Sequence, residues 1–160
     1  MEVRSDGHCR GEVCLSLRRR AVPIALSVAG REYPPVEVTI DRDRVAAFAR
    51  SLGLDPADGV PPTYAVVYAW EATAHHIFGD PVAGIDLPNL LHTDQEFEWA
   101  RQPRVGETVV ARSRIVADVL RRGIRLVTVE TDVTAGGEPL CRSTARLLVR
   151  SDGADSGSQG

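Results

Sequence analysis

The sequence predicts an α+β fold in which one antiparallel sheet wraps a single buried helix. Three observations predict it. Residues 91–149 carry four segments that alternate apolar and polar side chains, the two-residue period of half-buried strands. Residues 64–78 are apolar almost all round a helical period, with Glu71 as the only formal charge. The chain has 160 residues, enough for one core and too few for two comfortable ones.

The elements follow in order. Val36–Ile40 reads as a short strand after Pro34-Pro35. Asp41 caps a helix over Arg42–Leu52 whose inner face is Val45, Phe48, Ala49 and Leu52, and Gly53 ends it. Asp55–Pro62 holds three prolines, two aspartates and a glycine, the composition of a loop. Thr63 then caps the second helix, Tyr64–Phe78, because Pro61-Pro62 prevents a helix from arriving directly. A helix with so little polar surface must be enclosed.

The enclosing strands come next. Leu91, Thr93, Gln95, Phe97 and Trp99 alternate with His92, Asp94, Glu96 and Glu98. Val109, Ala111, Ser113, Ile115, Ala117 and Val119 form the inner face of the second strand, and Arg122-Gly123 turns the chain. Val127, Val129, Thr131 and Val133 face inward on the third. After Gly136-Gly137 the fourth sets Cys141, Ser143, Ala145, Leu147 and Val149 inward. One buried helix on the concave side of such a sheet is the hot-dog arrangement. Residues 22–150 are assigned to this domain, residues 1–21 to a disordered leader and 151–160 to a disordered tail. The leader's Arg18-Arg19-Arg20 also leaves open a basic docking arm.

Composition narrows the chemistry. A net charge of −3 disfavours nucleic-acid binding. All 19 cations are Arg, so no reaction through a lysine nucleophile is available. The longest strongly apolar run, Tyr64–Trp70, is far shorter than the roughly 20 residues of a membrane span, and the N-terminus has no secretory pattern. A cytoplasmic protein off the membrane is expected. Three cysteines, Cys9, Cys14 and Cys141, give neither a disulfide framework nor a metal-ligand spacing. Cys141 reads as a small buried hydrophobe. No cofactor and no metal are expected.

Five segments in this order carry a family resemblance: Gly30-Arg-Glu-Tyr-Pro-Pro-Val-Glu-Val-Thr, the helix ending Phe48-Ala-Arg-Ser-Leu-Gly53, Val60-Pro-Pro-Thr-Tyr64, Leu91-His-Thr-Asp-Gln-Glu-Phe-Glu98 and Arg101-Gln-Pro-Arg-Val-Gly-Glu-Thr108. Over residues 28–150 the chain resembles the N-terminal MaoC-like, or FAS1-like, dehydratase domains. That family includes accessory subunits of (3R)-hydroxyacyl-ACP dehydratase heterodimers. The resemblance implies pairing with a catalytic MaoC-like subunit or with a second copy, and an acyl-ACP or acyl-CoA substrate.

Catalytic members pair an Asp with a His five positions later, and both must converge on one thioester. Here the matching loop reads Gly53-Leu-Asp-Pro-Ala-Asp-Gly-Val60. Counting from Asp55 puts Val60 at the histidine position, and counting from Asp58 puts Thr63 there. No catalytic residue is therefore assigned. The resemblance places the substrate at Pro62, Thr63, Tyr64 and Tyr68, where the start of the buried helix would polarise the thioester carbonyl. The plain alternative is that Thr63 only caps and Tyr64 only packs.

Three further groups are weighed. His75 and His76 project about 100° apart, so at most one can face a given site. His92, by alternation, lies with the acidic face as a solvated or interface histidine paired to a carboxylate. Arg112, Arg114, Arg142, Arg146 and Arg150 lie outward, either as a strip that docks an acidic carrier or as solvated cations balanced by carboxylates. An accessory dehydratase subunit is the first functional reading. A free-standing homodimeric hydro-lyase or thioesterase, and a non-enzymatic acyl-thioester-binding domain, are the others.

Overall fold

The structure is a computed structural model, and it describes residues 27–150. The predicted leader, the first residues assigned to the domain and the tail lie outside that range.

Five antiparallel strands form one sheet: β1 Val36–Thr39, β2 Leu90–Trp99, β3 Thr108–Arg121, β4 Ile124–Ala135 and β5 Glu138–Arg150, in the order β1-β3-β4-β5-β2. The predicted antiparallel sheet around a helix is the observed one. Both tight turns are two-residue turns with positive φ throughout, Arg122 at 52° and Gly123 at 77°, then Gly136 at 59° and Gly137 at 89°. That conformation matches the twist of paired strands. Helix α1, Arg42–Ser51, is capped by Asp41, whose Oδ1 accepts from the Arg44 N–H at 2.8 Å.

The second helix departs from expectation. A 3-10 turn, Pro62–Tyr64, leads into a π-helical segment, Val66–Glu71, and then into α2, Ala72–Phe78. Pro61, not Thr63, stands at the start, and no side chain caps it. Two successive prolines already remove two donors there, so a capping oxygen has little left to satisfy. The π segment solves a geometric problem. Ala65, Ala69, Thr73 and Ile77 are all fully buried, spaced four apart. In a regular α-helix each such step rotates by about 40°. The wider turn, marked by the Ala72 N–H bonding back to the Val67 carbonyl, takes up that drift and keeps the row on the sheet. The opposite side is only half covered: Val66, Val67, Trp70 and Phe78 are partly exposed and Glu71 is exposed.

Side chains from β3, β4 and β5 meet the helix in rows. Ala111, Val133 and Cys141 pack with Tyr64, Tyr68 and Leu140 in one apolar cluster. Ile115, Val129 and Ala145 pack with Ile77 and Ile85 in a second. Between them runs the buried row Ser113, Thr131 and Ser143. Inward positions on β4 and β5 are those predicted.

Two bulges correct the other strands. The register of β3 slips between Ile115 and Ala117, so Ala117 and Val119 turn outward and Asp118 turns inward. There Asp118 accepts from Arg125 at 2.7 and 3.0 Å and from the Val28 N–H at 2.8 Å. On β2 the register slips between His92 and Asp94. One extra residue reverses every side chain beyond it, so Leu91 faces out while His92 faces the helix.

Candidate functional site

The predicted site lies where loop 53–61 delivers the chain to the helix. Pro62 and Thr63 are exposed at its mouth, while Tyr64 and Tyr68 are 2% and 0% exposed. Tyr64 meets the Phe48 ring edge-on at 5.2 Å and lies 6.3 Å from Tyr68. Two of the four residues are thus exposed and two are packed in the core, and they do not form one contact surface. Burial raises the pKa of both phenols above the usual range, so both remain neutral donors.

The Tyr68 hydroxyl is buried and lacks a hydrogen-bond partner among the described residues. Its neighbour Cys141 is buried too, and burial pushes the thiol up to about 11, which makes it inert as a nucleophile at neutral pH. Like Gln102 and Ser113, Gln95 also carries a buried atom with an open valence. Its amide N–H groups donate to Ser143 Oγ at 2.8 Å and the Thr144 carbonyl at 3.2 Å, leaving Oε1 without a donor. Sequence alternation placed Gln95 on the inner face without marking it as a site residue. Beside them a cleft of about 480 Å³ is lined by Trp99, Val133, Leu140 and Cys141, with Asp132 and Arg142 at its rim.

Among the described residues no acid–base pair assembles at Pro62 and Thr63. Asp55 is exposed and spends one oxygen on the Ala57 N–H at 2.9 Å, and Asp58 is exposed. His75 and His76 lie 11 and 12 residues beyond Tyr64, some 16 Å along the helix axis. Their rings stack against each other at 3.9 Å. His92 is not paired to a carboxylate: its ring lies 5.1 Å from Trp70 and Nε2 is 3.1 Å from the Asp94 carbonyl oxygen. The bulge at Thr93 put it there, and nothing in an alternating sequence announces a bulge.

Three of the five arginines of the strip form ion pairs, and Arg112 is exposed outside them. Arg114 bridges Glu130 and Asp132, Arg142 pairs with Asp132, and Arg146 with Asp94 and Glu96. Glu107, in the turn that opens β3, accepts both Arg101 amino groups at 2.6 and 2.9 Å and the Arg104 N–H at 2.8 Å. That environment holds its carboxyl down to about 2. Among the described residues no three His, Cys, Asp or Glu side chains gather as a metal site, and no helix is long and apolar enough to cross a membrane.

A sequence profile of the FAS1-like dehydratase domain region matches residues 27–143. The chain belongs to this family. Curated relatives of this FAS1-like domain include a UPF0336 protein of Leifsonia xyli, 30% identical over 148 residues that cover 82% of this chain and 99% of the relative. A UPF0336 protein of Saccharopolyspora erythraea is 32% identical over 154 residues, covering 84% and 96%. Among solved structures, the truncated HadBC (3R)-hydroxyacyl-ACP dehydratase complex of Mycobacterium tuberculosis superposes with a TM-score of 0.65 at 19% identity, covering 78% of this chain and 99% of that one. At that identity the match shows the hot-dog fold alone. HtdX of the same organism is 27% identical with a TM-score of 0.58, and the FAS1-like domain spans 51% of it.

Proposed function

We propose that this FAS1-like domain is the accessory, non-catalytic subunit of a (3R)-3-hydroxyacyl-thioester dehydratase in fatty-acid or polyketide-type acyl metabolism. The observation that carries the reading is loop 53–60, which holds two exposed carboxylates and no histidine, with His75 and His76 at the far end of the helix. Dehydration removes a proton from the α-carbon and the hydroxyl from the β-carbon as water, leaving a 2-enoyl thioester. A MaoC-like partner supplies the Asp and His for those transfers.

This chain supplies surface. Among the described residues, edge strand β2 pairs only with β5, leaving ten residues of backbone for a partner strand. The helix side bearing Val66, Val67 and Trp70 is half exposed and is covered in the same event. Pro62 and Thr63 meet the thioester, and Tyr64 and Tyr68 wall the acyl chain. HadBC and ChsH1-ChsH2, both solved as complexes, are precedents for such pairing. The protein acts in the cytoplasm on a soluble acyl carrier or coenzyme A thioester. Co-expression with a MaoC-like protein that carries the Asp/His motif tests the pairing. A stable one-to-one complex by light scattering is expected, and two homo-oligomers that never exchange would contradict it.

A further inference from the structure

The outward face of the sheet is polar except along one row. Three successive cross-strand rows carry charge: Arg112, Asp132, Arg142 and Glu98, then Arg114, Glu130, Thr144 and Glu96, then Arg146 with Asp94. The fourth is wholly apolar. Val119 opposes Leu126, Leu126 opposes Leu148, and Leu148 opposes Leu91. Val119, Leu126 and Leu91 are 51%, 45% and 59% exposed. The turn beyond adds exposed Ile124 on the same face. An apolar patch of this extent on an otherwise ionic face marks an interaction surface.

Charge beside the row distinguishes the occupant. Arg121 and Arg122 are exposed at the hairpin tip, and neither enters an ion pair with the described residues. Of the outward arginines, Arg114, Arg142 and Arg146 are neutralised by carboxylates, and Arg112 stands exposed on the row farthest from the apolar one. The pair at the hairpin tip thus leaves open cationic charge beside the apolar row. Four strands span about 14 Å, the length of an amphipathic helix of about ten residues.

We infer that this row and the hairpin tip dock an acidic amphipathic helix of a protein partner. Its apolar stripe covers Val119, Leu126, Leu148 and Leu91, and its carboxylates face Arg121 and Arg122. Resting on the function proposed above, that partner is the acidic carrier that delivers the acyl thioester. The surface lies on the face opposite the helix, so apart from the Leu91 side chain it leaves the backbone edge of β2 and the helix free for the catalytic subunit.

The test titrates holo acyl carrier protein into the purified complex with its MaoC-like subunit, reading affinity by fluorescence anisotropy. Leu126→Glu and the double substitution Arg121→Glu/Arg122→Glu are expected to weaken binding at least tenfold, and raised salt to weaken the wild type. Crotonyl-CoA hydration, which needs no carrier, is expected to stay unchanged in both variants. Carrier affinity unaltered by both variants would overturn the docking surface. So would a halved mass of the Leu126→Glu complex by light scattering, which assigns the row to a second copy. Variant-sensitive binding to anionic phospholipid vesicles in place of the carrier would assign it to a membrane. Absence of hydration in the wild-type complex counts against the function, whereas the carrier titration reads the docking alone.

Discussion

Tyr68 and Asp118 show how differently buried polar groups act at the scale of one residue. The Tyr68 ring fills core space, but its hydroxyl has no partner among the described residues. A buried group left unsatisfied is destabilising, and removing it is close to neutral or favourable. Tyr68→Phe is therefore expected to melt at or above the wild-type temperature, whereas Tyr68→Ala costs about 3–5 kcal/mol by denaturant unfolding through the cavity it leaves. A Phe variant as unstable as the Ala variant would show that the hydroxyl is bonded in solution. Asp118 is the opposite case. Burial pushes its pKa up, yet the Arg125 guanidinium and the Val28 N–H hold it below the usual range. Asp118→Ala strands Arg125 with its charge half-buried, an expected loss of about 3–5 kcal/mol. Glu107 predicts a pH effect. Its carboxyl lies near 2 when folded against an ordinary 4.5, so the unfolded chain takes up a proton first as pH falls. Stability from this site is full above about 4.5 and drains away between there and 2. Glu107→Gln is expected to flatten that part of the melting-temperature profile.

At the scale of elements, β2 is the strand on which the proposed pairing depends. Its outer edge is unpaired, and its inner side carries His92, Gln95, Phe97 and Trp99. Partner binding is expected to slow amide hydrogen exchange along Leu90–Trp99 and in the half-exposed turns of the helix, and to leave β1 unchanged. Protection confined to β1 would place the interface at the opposite edge. How far these elements were legible depends on what makes them. Strands β4 and β5 keep a strict two-residue period, so Val127 to Val133 and Cys141 to Val149 could be assigned to their face from the sequence. The two hairpin turns carried their own signal in Arg122-Gly123 and Gly136-Gly137. The bulges at Val116 and Thr93 did not, because a β-bulge adds a residue without requiring a special one. Each reversed the strand beyond it, bringing Asp118 inward and His92 onto Trp70. The π segment was equally silent: its apolar residues suit any helix, and only the four-residue spacing of Ala65, Ala69, Thr73 and Ile77 hints that a regular α-helix would drift off the sheet. The exposed entry to the helix at Pro62 and Thr63 was readable from its prolines. The open valences of Tyr68 and Gln95 depend on what surrounds them in three dimensions.

At the scale of the molecule, the FAS1-like domain has three distinct surfaces. The concave side is filled by its own helix. The edge strand and exposed helix flank are suited to a catalytic subunit, and the apolar outward row to an acidic carrier. In the proposed function, a chain built this way contributes shape and contacts to the reaction, while proton transfer falls to the partner. Hydration of crotonyl-CoA tests that division most directly, assayed with the purified chain alone, with its MaoC-like partner alone and with the complex. The account predicts no turnover by this chain alone, full activity in the complex and loss of that activity when the partner's Asp or His is replaced. Turnover by this chain alone, sensitive to Asp55→Asn or Asp58→Asn, would contradict it.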